Sequence, residues 1–214
     1  MSLTRRTLLS AGAPTLLLAG FMAGRPARGA DAPPAPAVDP RLISDRALGS
    51  PTAKLVVQEW FSLTCTHCAR FSQTVFPEVK AKLIDTGRIR YVFQDFPLDQ
   101  VALTASMVAR ALPNERYVPF VESLLASQDH WAFAQGVDSM AELAKMAALA
   151  GLSQDSFHRV TDDQALRQAL IDKQDGAQKK YGIDSTPSFI FGGTLFSGEM
   201  DYDTFAKKVS DAGG

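Results

Sequence analysis

The chain has 214 residues, of which 46% are hydrophobic and 21% are charged, and this composition suits a globular domain with one core. Its formal net charge is -1, from 22 basic and 23 acidic side chains. A nucleic-acid-binding surface and a solvating acidic tail are therefore both disfavoured.

Residues 1–30 have the pattern of an export signal. Arg5 and Arg6 precede an apolar stretch, residues 7–22, that is too short and too weakly hydrophobic for a convincing membrane-spanning helix. An arginine pair followed by two leucines is typical of a twin-arginine signal; a Sec signal with two arginines and an uncleaved anchor are the alternatives. The pattern predicts cleavage near residues 29–32 and a location outside the cytoplasm, where disulfides persist.

A linker and a folded domain follow the signal. Residues 31–40 are rich in proline and alanine and predict an extended linker, so the domain is expected over residues 41–214. Residues 54–62 are apolar, β-branched and aromatic, which predicts a buried strand as the first element of the sheet.

A helix and a second strand are predicted next. Residues 69–86 have helical spacing of apolar side chains and end at Gly87, a suitable C-cap, while Pro77 predicts a kink. Residues 88–95 predict the second strand. Strand, helix and strand in this order imply a parallel pair with a right-handed crossover.

A long block of helices is predicted from about residue 98 to about residue 181. Its candidate helices are residues 99–112, 115–128, 139–150, 153–160 and 162–180. Ser139 and Glu142 have the spacing of a capping box before an apolar run. The block has no Gly/Pro-rich junctions, so we expect it to pack on the sheet rather than swing free.

The C-terminal part predicts a hairpin and a helix. Residues 187–191 and 194–196 are two candidate strands joined by a two-residue turn, Gly192-Gly193, and residues 201–212 predict a closing helix. The order β-α-β, helical block, β-β-α predicts an α/β fold in which a small mixed sheet carries an inserted helical subdomain.

The two cysteines, Cys65 and Cys68, form a C-x-x-C motif at the junction of the first strand and helix. A disulfide between them would close a very short loop and stabilise little, so a reactive pair is favoured over a structural one. A helix N-terminus favours the thiolate, which predicts a reactive Cys65 and a resolving Cys68. His67 is a candidate for stabilising the Cys65 thiolate, with a merely solvent-facing imidazole as the alternative.

A zinc site and functionless buried cysteines are the alternatives to a redox pair. Zinc is held by about four ligands. The chain offers two cysteines and three histidines, His67, His130 and His158. We therefore expect no metal, and the chemistry of a redox-active thiol pair needs no organic cofactor.

An acid and a proline are further candidates. Glu59 shares a strand face with apolar residues, where burial would raise its pKa and make it a proton acceptor for Cys68. A carboxylate that reaches solvent or pairs with Lys54 is the alternative. Pro187 follows Thr186 and opens an apolar strand, which is unusual; the sequence leaves open whether the bond is cis or trans.

Two segments resemble those of a known family. VVQEWFSLTCTHCARF (residues 56–71) and YGIDSTPSFIFGGTLFSG (residues 181–198) resemble the active-site segment and the cis-proline hairpin of DsbA-like thiol–disulfide oxidoreductases, and the likeness extends over residues 41–214. The resemblance implies a thioredoxin-like fold with a helical insert at about residues 98–181, and a periplasmic location.

The resemblance also implies roles for single residues. These are Cys65 as nucleophile, Cys68 as resolving cysteine, Glu59 as buried acid, Pro187 as the cis-proline facing the disulfide, and Thr186 as the residue whose backbone pairs with substrate. Two departures leave the redox direction open: Thr66 replaces the usual proline, and Thr186 replaces valine, where threonine is common in isomerases and reductases.

The function expected from these observations is oxidation of dithiols in unfolded or reduced secreted proteins. The resemblance implies reoxidation by a membrane quinone-linked partner of DsbB type, and we expect a monomer. A disulfide isomerase or periplasmic reductase is the alternative. The short distance between the cleavage region and the first strand argues against a built-in dimerisation domain. A redox-inert carrier of metal or of thiol proteins is a third possibility.

Overall fold

The computed structural model of the protein describes residues 37–214. The predicted export signal and the linker before residue 37 lie outside the described residues. A single helical turn, α1 (Pro40–Ile43), begins the described part and is capped by Asp39. Within residues 37–214, no helix is both long and apolar enough to cross a membrane.

The sheet is mixed and, in the described part of the chain, has five strands. These are β1 (Arg46–Leu48), β2 (Leu55–Phe61), β3 (Ile89–Asp95), β4 (Ser188–Phe191) and β5 (Thr194–Ser197), in the order β1-β3-β2-β4-β5. The central strands β2 and β3 are parallel, and the other neighbours are antiparallel. The sequence did not predict β1, because three residues are too few for an alternating pattern.

The crossover between β2 and β3 is helical but broken. It consists of α2 (Thr66–Thr74), α3 (Phe76–Val79) and a π-helical turn (Lys80–Ile84). Cys65 caps α2 and the helix begins at Thr66, at the junction predicted for the C-x-x-C motif and three residues before the apolar spacing that starts at residue 69. The break lies at Val75, two residues before Pro77. This proline occupies the first turn of α3, where a backbone N–H is not needed.

The helical insert lies between β3 and β4 and is described throughout. Its helices are α4 (Gln100–Ala111), α5 (Asn114–Ala126), α6 (Gln128–Trp131), α7 (Ser139–Leu149), α8 (Gln154–Thr161) and α9 (Gln164–Tyr181). The sequence missed α6, which is a single turn. The predicted capping box is also wrong: Asp138 is the N-cap of α7, its carboxylate accepts the N–H groups of Met140 and Ala141, and Ser139 is already helical.

The C-terminal hairpin and helix are confirmed. Phe191 pairs with Thr194, so Gly192 and Gly193 form the two-residue turn. Their φ angles of 55° and 99° lie in the left-handed region that glycine tolerates and hairpin turns require. Helix α10 (Tyr202–Asp211) follows and is capped by Asp201.

The core covers both faces of the sheet and continues into the insert. On one face, aromatic rings from α2, β3, β4 and α10 pack together: Phe71, Tyr91, Phe93, Phe189, Phe191 and Phe205. On the other face, Trp60, Phe96 and Ile190 form a smaller cluster with Ala177 of α9. Apolar residues of the insert belong to the larger cluster, so the insert packs on the sheet as predicted.

Candidate active site

Cys65 lies where β2 ends and α2 begins. It is 7% exposed. Its sulfur accepts the backbone N–H of Cys68 over 3.4 Å and contacts the carbonyl oxygen of Thr186 at 3.2 Å. Hydrogen bonding from the Cys68 thiol, from Thr186 and from the backbone N–H groups of Cys68 and His67 lowers the pKa of Cys65 to about 5, although burial opposes this. Cys65 is therefore a thiolate at neutral pH.

Cys68 lies one turn further along α2 in a contrasting environment. Both cysteines are reduced thiols in this structure, and Cys68 is fully buried. Burial, followed by the neighbouring Cys65 sulfur and the Glu59 carboxylate, raises the pKa of Cys68 well above its ordinary value. At neutral pH one sulfur of the pair is therefore charged and the other is protonated.

Glu59 is buried beneath this turn, on the inner face of β2. It is 4% exposed, and its carboxylate accepts a hydrogen bond of 2.8 Å from the Tyr91 hydroxyl. Burial raises the pKa of Glu59 to about 7, because desolvation outweighs the hydrogen bond from Tyr91. Lys54 is exposed, and within residues 37–214 Glu59 forms no ion pair with it.

The Thr186–Pro187 segment closes the site from the opposite side. The bond between these residues is cis. The carbonyl of Thr186 faces the Cys65 sulfur, and the carbonyl of Pro187 accepts the backbone N–H of Gly198 over 2.8 Å. The structure thus brings together Cys65 and this segment, which are 121 residues apart in the chain.

His67 is oriented differently from the sequence expectation. Its Nδ1 lies 3.1 Å from the carboxylate of Glu199, which also accepts a hydrogen bond of 2.6 Å from Arg70. The imidazole is 57% exposed, and it is the backbone N–H of His67 that helps to lower the pKa of Cys65. An acceptor nearby in space but distant in sequence fixes the ring, which spacing within the motif does not reveal.

Three residues around the site were missed by sequence reasoning. Tyr91 had a detectable signal, because it shares the inner face of β3 with apolar residues and its side chain ends in a polar hydroxyl. Glu199 lies two residues after the end of β5, and Gln128 lies in the missed helix α6; neither stands in a pattern that indicates a site. Gln128 donates from its side-chain amide to the carbonyls of Leu63 and Cys65.

The metal-ligating side chains of the described residues are scattered. Among residues 37–214, no group of three or more His, Cys, Asp or Glu side chains is placed to hold a metal ion. His130 lies in α6 and His158 in α8, both in the insert. The site itself consists of two thiols in unequal environments, a buried acid and a cis-proline segment, set in a sheet and helices that define a thioredoxin-like fold.

Comparisons with known proteins agree with this class. A family model described as Thioredoxin matches residues 42–211. The crystal structure of alpha-DsbA1 from Wolbachia pipientis is 31% identical, with a TM-score of 0.73 over 79% of this chain and 90% of that one. The chain therefore belongs to the DsbA-like family of the thioredoxin superfamily.

Other relatives are similar over different extents. A Rickettsia conorii protein named "putative protein-disulfide oxidoreductase" is 31% identical over 170 residues, which are 79% of this chain and 60% of that protein. The chain thus spans about 60% of the length of the first curated relatives that it matches. A protein-disulfide isomerase structure from Novosphingobium aromaticivorans, 22% identical with a TM-score of 0.68 over 79% of this chain and 98% of that one, shares the fold.

Proposed function

We propose that the protein is a thiol–disulfide oxidoreductase that oxidises pairs of thiols in other proteins through a Cys65–Cys68 disulfide. The observation that carries this proposal is the difference between the two sulfurs. The pKa of Cys65 is lowered to about 5, whereas burial raises that of Cys68 well above its ordinary value. A low-pKa thiol is a good leaving group, and its thiolate stabilises the reduced protein.

The reaction begins with attack on the disulfide. A substrate thiolate attacks Cys65 Sγ, which breaks the Cys65–Cys68 bond and forms a mixed disulfide between substrate and Cys65. A second substrate thiolate then attacks the substrate sulfur of this bond. The substrate leaves as a disulfide, Cys65 leaves as a thiolate, and the cysteine pair has gained two electrons.

Glu59 is proposed to move the proton that this sequence requires. Cys68 departs in the first step as a thiolate, which its buried site disfavours. Since the pKa of Glu59 is raised to about 7, a protonated fraction exists near neutral pH to supply the proton. The Glu59 carboxylate accepts the proton again when the pair is reoxidised.

The Thr186–Pro187 segment is proposed to dock the substrate backbone beside Cys65. Its position against the sulfur, at 3.2 Å for the Thr186 carbonyl, supports this role. The proposed substrates are unfolded or reduced secreted proteins, and the proposed electron acceptor is a DsbB-type, quinone-linked membrane protein. These partners require export, which the proposed signal in residues 1–30 would direct to the periplasm, where the protein would act as a monomer.

Thr66, His67 and Thr186 are proposed to tune the redox potential. Each pKa unit by which Cys65 lies below the ambient pH stabilises the reduced form by about 1.4 kcal/mol, which corresponds to about 30 mV for a two-electron couple. The Cys65 environment thus favours an oxidant. Thr66 and Thr186 favour a potential less extreme than that of the strongest oxidases, such as the roughly -120 mV of DsbA itself.

Equilibration with glutathione buffers measures the reduction potential and so tests whether the protein acts as an oxidase or as a reductase. We expect a potential above the roughly -270 mV of thioredoxin. Glutathione disulfide in these buffers can oxidise Cys65 of a Cys68→Ser variant to a mixed disulfide with glutathione. A thiolate of a reduced secreted protein should displace the glutathione and accumulate as a mixed disulfide with Cys65, whereas the matched variant Cys65→Ser should trap no substrate, because Cys68 is buried and protonated. A potential near that of thioredoxin would favour the reductase instead, and trapping by Cys65→Ser would refute the assignment of the attacked sulfur.

A further inference from the structure

The turn that carries Cys65 is held by a side chain of the helical insert. Gln128, in the short helix α6, is 5% exposed. Its side-chain Nε2 donates to the carbonyl oxygen of Leu63 over 2.8 Å and to that of Cys65 over 3.1 Å. Both amide protons of Gln128 are therefore used on the two carbonyls that flank Thr64 in this turn.

We propose that Gln128 is a positioning residue of the redox site, which fixes the backbone of Cys65 from the helical insert through these two hydrogen bonds. The inference rests on the proposed function and extends it, because it makes the insert a part of the redox centre. Gln128 acts through the Cys65 backbone and has no contact with the reacting sulfur among its hydrogen bonds.

The Cys65 carbonyl accepts hydrogen bonds from both the insert and α2. It also accepts the backbone N–H of Ala69 over 3.0 Å, the first hydrogen bond of α2. The same turn presents the N–H groups of His67 and Cys68 to the Cys65 sulfur, and these donors lower the pKa of Cys65. A donor that fixes the carbonyl therefore also fixes the direction in which those N–H groups point.

Gln128 is itself held rigidly enough for this role. Its backbone carbonyl accepts the N–H groups of Ala132 and Phe133, over 2.9 and 3.0 Å. Trp131, at the other end of α6, is 1% exposed and donates from its indole to the carbonyl of Leu124 over 2.8 Å. Helix α6 is thus held in the core of the insert, and the two hydrogen bonds of Gln128 fix the turn relative to this helix.

The test measures the thiolate of Cys65 directly. Gln128→Met keeps an unbranched side chain of similar volume and removes both donors. We expect the midpoint of the Cys65 titration, followed by thiolate absorbance and by the pH profile of alkylation, to rise by about one pH unit. Alkylation at a fixed pH below both midpoints would then be about tenfold slower.

Two further variants separate positioning from packing. Leu143→Ala removes a fully buried side chain of α7 and should destabilise the insert without moving the midpoint. Gln128→Asn, whose amide is too short to reach both carbonyls, should move the midpoint in the same direction as Gln128→Met and serves if Gln128→Met does not fold.

The outcomes distinguish this inference from the proposed function. A low wild-type midpoint that is unchanged in the Gln128 variants, or that shifts equally in Leu143→Ala, would overturn the positioning role and leave the proposed function standing. A wild-type midpoint near 9 would overturn both.

Discussion

Two buried carboxylates on neighbouring strands of the sheet have different partners. Glu59 of β2 is 4% exposed and accepts a hydrogen bond from a neutral group, the Tyr91 hydroxyl. Asp95, the last residue of β3, is 1% exposed and forms an ion pair with the fully buried guanidinium of Arg110. The two strands are parallel and adjacent, so the difference arises from the side chains packed around each acid.

In the described part of the chain, only one of these two buried acids lies beside a cation. Arg110 also donates to the carbonyls of Leu42 and Ser44, each over 3.0 Å, so the Asp95–Arg110 pair ties α4 to the start of the domain. Asp95 thus serves to compensate a buried charge. Glu59 has no such cation beside it in the described part of the chain, and burial therefore raises its pKa to about 7.

The largest effect is expected from Asp95→Asn. The substitution keeps the shape of the side chain and removes the charge that compensates Arg110, which leaves a buried cation unpaired. We expect the free energy of unfolding to fall by about 3–5 kcal/mol, measured by urea denaturation. A loss below about 1 kcal/mol would mean that Arg110 is compensated by its backbone acceptors alone.

The same carboxyl-to-amide change at Glu59 should affect the free energy of unfolding in the opposite direction. The pKa of Glu59 rises from 4.5 in the unfolded chain to about 7 in the folded protein, so the folded state binds the proton more tightly and stability falls as the pH rises through this window. This loss amounts to about 3 kcal/mol above pH 7. Relative to wild type, Glu59→Gln should therefore be more stable at about pH 8 than at about pH 4, measured by urea denaturation of the reduced protein.

The same Glu59→Gln variant also tests the proton-transfer role. Attack at Cys65 with departure of Cys68 should slow more than release of Cys65 from the mixed disulfide, because only the first of these steps uses the proton of Glu59. Stopped-flow measurement of the two steps provides the comparison. Glu59 would be only a structural residue if both steps slowed equally. The same would follow if stability changed between the two pH values by the same amount in Glu59→Gln as in wild type.

A smaller effect is expected from Tyr91→Phe. The Tyr91 hydroxyl opposes the rise in the pKa of Glu59, so its removal should raise that pKa above about 7 and cost about 1 kcal/mol of stability at neutral pH. The midpoint of the pH dependence of unfolding is the measurement. Tyr117→Phe is the matched control, because the buried Tyr117 hydroxyl has no hydrogen-bond partner among residues 37–214. A similar loss of stability in Tyr91→Phe and Tyr117→Phe would mean that the effect arises from packing and not from the hydrogen bond to Glu59.

Much of the fold could be predicted from local patterns. The strands at β2 and β3, the glycine turn and the longer helices have side-chain periodicities or turn residues that are visible along the chain. Strand β1 and helix α6 are too short to have such a pattern, and the N-cap of α7 depended on which of two adjacent polar residues, Asp138 or Ser139, reached the free N–H groups. Whether such short elements form, and where they begin, depends on the residues that pack against them.

The sequence by itself determined the family, the C-x-x-C spacing of the two cysteines and the placement of an acid on the inner face of β2, because motif spacing and alternation along a strand are local properties. Tertiary structure decided the partners of these residues. Tyr91 hydrogen-bonds Glu59, Glu199 binds the His67 imidazole, and Gln128 holds the Cys65 turn, across separations of 32, 132 and 63 residues. Hydrogen bonds and desolvation act over a few ångströms in space, so the charge state of each group depends on neighbours that only the folded chain provides.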